Sequence, residues 1–222
     1  MRLEYHSHED ADRIIREEPH WPELTGTLSA IGRDDILRQH ATYARPPAGA
    51  QSAINDVIDQ RLRALGWTGQ ARLFNDPALP TWTMDFYKGS VGVEVVFNND
   101  QYVPWELQRL MLAKRSPEVQ GLHRTRVGVV VIATKALKAW GKLDGSCATY
   151  EKLTQVWLPH LAPILTFPIM AIGLDAAQGE TDWDPNQSPF RGTKTKDELF
   201  ERWQQDEAAA AEAAEEGVEY DA

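Results

Sequence analysis

The chain has 222 residues, of which 42% are hydrophobic and 25% charged, enough for one α/β domain with a full core. No run approaches the roughly 20 apolar residues that cross a bilayer, and the start MRLEYHSHEDADRIIREE is too charged for a secretory signal, so a cytoplasmic protein without membrane contact is expected. The single cysteine, Cys147, excludes an intramolecular disulfide framework and a cysteine-rich zinc site.

Residues 8–40 carry short apolar periodicities, Ile14/Ile15, Leu24, Leu28, Ile31 and Ile36/Leu37, broken at Pro19 and Pro22. They predict two or three short helices packed on a sheet edge. After the breaker Arg45-Pro46-Pro47-Ala48-Gly49, Ile54, Val57, Ile58, Leu62 and Leu65 form one stripe, predicting an amphipathic helix over 51–65 that ends at Gly66. Strands are predicted over 71–74, 82–88, 91–97, 127–133 and 165–174. The continuously apolar 127–133 run, VGVVVIA, suits a strand covered on both faces. Helices are predicted over 104–115, with Pro104 in the first turn, and over 150–158. The order gives an α/β fold, a mixed central β-sheet flanked by helices. From Thr181 to Thr195 the composition turns to Asp, Pro, Asn, Gln, Ser and Gly, a long loop. A last helix from Lys196 decays into AAAAEAAEEG, which has alanine propensity but no apolar stripe. Residues 1–205 are therefore expected to form a single domain and 206–222 an acidic, disordered tail.

The net charge of −10 argues against a nucleic-acid partner, since phosphate binding is driven by lysine and arginine. Its distribution matters more. The tail holds seven acidic and no basic residues, leaving −3 on the rest, and residues 101–160 carry nine basic against four acidic side chains, with Lys135, Lys138 and Lys142 grouped. Either a basic face or scattered solvated charge fits that pattern.

The informative segment is TWTMDFYKGSVGVEVVFNN, residues 81–99. Gly89-Ser90 suits a two-residue hairpin turn with glycine at positive φ. Closing it pairs Lys88 with Val91, Tyr87 with Gly92, Phe86 with Val93, and Asp85 with Glu94. Alternation then places Asp85, Glu94, Val96 and Asn98 on one face and Phe86, Val93, Val95 and Phe97 on the other. Directly opposed carboxylates destabilise a hairpin unless something neutralises them, and a divalent cation would do so. Two solvent-facing acids on neighbouring strands is the plainer alternative, which the pattern alone leaves open.

An aspartate on one strand, a short turn, and Glu-x-(Lys/Gln/Glu) on the next form the core of the PD-(D/E)XK nuclease superfamily. Asp85-Phe86-Tyr87-Lys88 followed by Val93-Glu94-Val95-Val96-Phe97-Asn98-Asn99 resembles in particular the BglII group of type II restriction endonucleases. The resemblance extends from the N-terminal helices to the strand ending near Leu174, with its specific part in the hairpin. It implies a restriction-endonuclease-like core and a site-specific, homodimeric endonuclease that hydrolyses double-stranded DNA with magnesium or manganese. By that resemblance Asp85 and Glu94 are the catalytic, metal-binding carboxylates, and Asn98 and Asn99 stand where the family contacts DNA, a plain polar loop being the alternative from the residues alone; Tyr102, Arg109, Lys114 and Arg115 are then candidate phosphate contacts. Asn186, Gln187, Ser188 and Arg191 in the 181–195 loop are a second set of candidate base contacts, a plain surface loop being the equal alternative.

Val96 departs from the pattern: valine cannot orient a water, bond a phosphate or ligate a metal. Lys88, Gln51, Asn55 and Asp59 are the candidates for a group reaching in to replace it. The alternative is a catalytically impaired, nuclease-derived protein that binds DNA without cutting it.

Overall fold

The computed structural model describes residues 1–74, 76, 78–79, 82–115, 125–176 and 183–190. The expected tail at 206–222, the helix from Lys196 and Arg191 lie outside them. Strands β1 (Arg2–His8), β2 (Thr68–Arg72), β3 (Thr83–Lys88), β4 (Val91–Val96), β5 (Val127–Ala133) and β6 (Ile169–Asp175) form one sheet in the order β1-β6-β5-β4-β3-β2. Its centre, β4-β5-β6, is parallel, while β2, β3 and β1 run antiparallel to their neighbours. Every residue of β5 and β6 is buried, as the apolar runs 127–133 and 169–174 require, with Asp175 at the end of β6 accepting from the Thr134 hydroxyl.

Two apolar layers seal the sheet. On one face lie α1 (Ala11–Ile15), α2 (Trp21–Ser29), α3 (Arg33–Ala41), α4 (Gln51–Ala64) and α6 (Lys135–Gly141), whose Ile15, Leu28, Ile54, Ile58 and Trp140 pack on Phe86, Val93, Val129, Val131 and Ile172. On the other lie α5 (Val103–Arg115) and a helical stretch built from α7 (Tyr150–Lys152), a π-helical turn (Leu153–Trp157) and α8 (Leu158–Leu161). The α5 stripe Val103, Leu107, Leu110 and Ala113 meets Val96, Val130 and Ile132 there. Among the described residues no helix is long and apolar enough to cross a membrane.

Several expectations change. The N-terminal helices cover a face rather than an edge, because the edge is taken by β1, an alternating polar strand that pairs with β6 over seven residues. Helix α6 follows β5 at once, its first turn capped by the Thr134 hydroxyl accepting from Leu137 N–H. Strand β2 begins at Thr68 rather than 71, and β6 at Ile169 rather than 165. Helix α4 ends as expected, with Gly66 at φ 82°.

Candidate active site

The hairpin turn closes as its sequence dictates: Gly89 adopts φ 63°, and Lys88–Val91, Tyr87–Gly92 and Phe86–Val93 pair in the expected register. The ladder stops there, one pair short of Asp85–Glu94. Beyond Phe86 the Asp85 side chain takes over from backbone pairing, its Oδ2 accepting from Val95 N–H at 2.9 Å. Its other oxygen accepts from Gln70 Nε2 at 3.0 Å, and Gln70 Oε1 accepts from the Thr83 hydroxyl at 2.9 Å. Gln70 sits opposite in β2 at φ 52°, a left-handed conformation rare outside glycine. A donor to each oxygen fixes the carboxylate's orientation. The sequence did not single out Gln70, which precedes the strand expected at 71–74 and lies in β2 only because that strand begins at Thr68.

Glu94 extends toward the α5 face and is fully buried, 0% exposed. Neither of its oxygens has a well-aligned hydrogen-bond donor. Burial, then the neighbouring Asp85 charge, push its carboxyl well above the usual carboxylate range, with Arg109 opposing them. Helix α5 delivers Arg109 and Glu106, three residues apart and flanking its apolar stripe. Arg109 Nη2 lies 3.3 Å from Glu94 Oε2, Nη1 donates to Thr83 O at 2.9 Å, and the guanidinium also contacts Glu106. Asp85 thus lies beside Glu94, and Arg109 links Glu94 to Glu106. Among the described residues no three His, Cys, Asp or Glu side chains cluster as a complete metal cage. Glu94, with both oxygens lacking an aligned donor, beside the oriented Asp85 carboxylate suits magnesium, which keeps several waters and completes its shell with phosphate oxygens.

Val96 is 1% exposed and packs in the layer under α5, so beyond Glu94 the buried part of β4 offers this site only hydrocarbon. The candidates considered as its substitutes lie across the sheet. Lys88 Nζ donates to Glu23 Oε1 and Leu65 O, both at 2.6 Å, and Gln51, Asn55 and Asp59 belong to α4 on the opposite layer, Asp59 paired with Arg63 at 2.7 Å.

The residues after β4 gather at the same mouth. Asn98 is exposed and its Nδ2 reaches Glu106 Oε1 at 3.4 Å. Asn99 caps a 3-10 turn (Asp100–Tyr102) through Gln101 N–H and bridges Cys147. Tyr102 and Trp105, 55% and 56% exposed, join Trp82, Glu106 and Arg109 around a cleft of about 230 Å³. Lys114 is not among them. Eleven residues along α5 from Val103, it is displaced by about 16 Å along the axis, and its Nζ lies over the Phe167 ring at 5.3 Å, beside the starts of β5 and β6. Arg115 follows at the same end of the helix. Asn186 and Ser188 belong to a segment docked on α6, where Ser188 Oγ donates to Trp140 O at 2.5 Å.

A larger groove of about 960 Å³ opens beside Asn99, at the C-terminal ends of the parallel strands, lined by Lys135, Lys138, Lys142 and Lys152 with Asp100 and Glu151. Lys152 pairs with Asp100, and Lys138 Nζ donates to the Gly145 and Cys147 carbonyls at 2.8 and 2.7 Å. Lys135 and Lys142 leave the rim basic on a chain whose net charge is −10.

A six-stranded mixed sheet covered by helices is the fold of a restriction endonuclease. The chain belongs to the restriction endonuclease BglII/BglIII family, whose model matches residues 3–174. Among solved structures it is similar to the restriction endonuclease BglII complexed with a DNA 16-mer, at 21% identity and TM-score 0.58 over 78% of each chain. Free BglII matches at 19% identity and TM-score 0.49, over 78% of this chain and 79% of that one. No curated relative matches the sequence.

Proposed function

We propose that this protein is a site-specific endonuclease that hydrolyses phosphodiester bonds in double-stranded DNA with a divalent metal. The observation that carries the reading is Glu94, sealed from solvent beside Asp85 with both oxygens lacking an aligned donor, inside a chain of the BglII/BglIII family. Asp85 and Glu94 are the residues that would hold the ion, magnesium or manganese. Such an ion lowers the pKa of a bound water and offsets the charge developing on a phosphodiester.

The protein's own part is positional. Gln70 and Val95 N–H fix Asp85, and α5 with Val96 excludes water behind Glu94. Asn98, Asn99 and Tyr102 at the mouth meet the duplex, and phosphates beyond the cut follow the Lys135 and Lys142 rim. A homodimer acting in the cytoplasm, each subunit cutting one strand of a short palindrome, fits a two-fold substrate. The DNA-bound state of its structural neighbour supports the choice of partner.

A second reading, DNA binding without hydrolysis, is motivated by Val96 and by the acidic residues of 206–222. Incubating plasmid and phage DNA with the protein and magnesium or manganese separates the two. Discrete fragments, reduced about 1000-fold or more in rate by Asp85→Ala, are expected. Salt-sensitive binding with no products under either metal establishes the second reading, and neither binding nor cleavage contradicts both.

A further inference from the structure

Arg109 is an unusual occupant of a carboxylate site: its guanidinium is wedged between Glu94 and Glu106, its Nη1 is tied to a backbone carbonyl of β3, and its Nε is buried without a partner. An arginine whose only task was to neutralise acids could be sealed as completely as Glu94. This one retains 21% side-chain exposure and forms part of the cleft framed by Trp82, Tyr102 and Trp105. It is therefore a fixed cation at an opening, and a guanidinium keeps donors to spare after the contacts it makes here. Planar donors on a rigid helix suit the oxygens of a phosphate better than a mobile surface lysine would.

Resting on the endonuclease reading, we propose that Arg109 is a catalytic residue that binds the scissile phosphate, supplying from α5 the polar contact that Val96 cannot supply from β4. The carboxylates on either side hold the guanidinium in place before DNA arrives, so its donors need no reorganisation as charge builds on the phosphate. Asp85, Glu94 and Arg109 then converge from two strands and one helix on a single reacting group. The chemistry is hydrolysis as already described: water adds to phosphorus and gives up a proton to solvent, the P–O3′ or P–O5′ ester bond breaks, and the leaving alkoxide takes a proton from solvent.

The test needs the cut position, mapped with the wild-type protein on phage DNA, and two duplexes carrying either the normal phosphodiester or an uncharged methylphosphonate at that position. Binding is measured with metal chelated, so that hydrolysis plays no part. The wild type is expected to bind the methylphosphonate duplex about tenfold more weakly, and Arg109→Ala to bind both alike while its single-turnover cleavage falls at least about 100-fold. Arg109→Lys, which keeps the charge without the fork, is expected to retain part of both effects and serves where the alanine variant fails to fold. Wild-type cleavage in a folded variant overturns the proposal. So does lost cleavage with undiminished discrimination against the methylphosphonate, which assigns Arg109 a structural role only. Failure of the wild type to cut any DNA instead removes the endonuclease reading on which the proposal stands.

Discussion

The two faces of the sheet are built to different ends. Beneath α1–α4 and α6 the layer is mostly hydrocarbon, with Trp140, Phe97, Ile15, Leu28 and Ile58 essentially inaccessible, no carboxylate among the buried atoms of its described residues that lack an aligned partner (Trp140 Nε1, Asn55 Oδ1 and Arg33 Nε), and Lys88 paired with Glu23 at the periphery. Beneath α5 the same sheet buries Glu94 and Glu106 beside a partly exposed Arg109 and leaves oxygens of both glutamates without an aligned donor. Buried charge without full compensation costs stability. Both faces therefore carry an apolar core, and the α5 face in addition keeps a charged site that the chain would not adopt for stability's sake.

That contrast can be broken from either side. Trp140→Ala, which empties the apolar face where Trp183 and Phe190 also pack, should destabilise by about 3–5 kcal/mol in chemical denaturation while leaving cleavage per folded molecule unchanged. Glu94→Gln should do the reverse, abolishing cleavage while stabilising the metal-free protein at neutral pH by about 1–3 kcal/mol. The pH dependence sharpens this. Because burial raises the folded-state carboxyl of Glu94 above its ordinary value of 4.5, the folded protein holds a proton that the unfolded chain has lost. The stability tied to that proton is complete below the unfolded value and is lost as pH rises through the raised folded one. Thermal unfolding in chelator across that range should show the decline in the wild type and a flatter profile in Glu94→Gln.

Much of the hairpin was legible because its signals are local: Gly89-Ser90 sets the turn, and period-two alternation sends Phe86 and Val93 to one layer and Glu94 and Val96 to the other. The resemblance to the BglII group, read from those residues, agrees with the family. What escaped was long-range. Strand β1 lacks an apolar stripe and is a strand because β6 offers it an edge. Gln70 matters through a cross-strand contact with Asp85, and Arg109 stood out only as one basic residue among several until α5 was seen to carry it over Glu94. Lys114, grouped with the mouth residues by proximity in sequence, parts from them because a helix of 13 residues carries its ends about 20 Å apart.

The central claim is that Asp85 and Glu94 together hold a cation, and calorimetric titration of the metal-free protein with manganese tests it without recourse to activity. One ion bound per chain, with binding abolished by Asp85→Asn and by Glu94→Gln in folded protein, is the result expected. Wild-type manganese binding in both variants, or none in the wild type with or without duplex DNA, would contradict it.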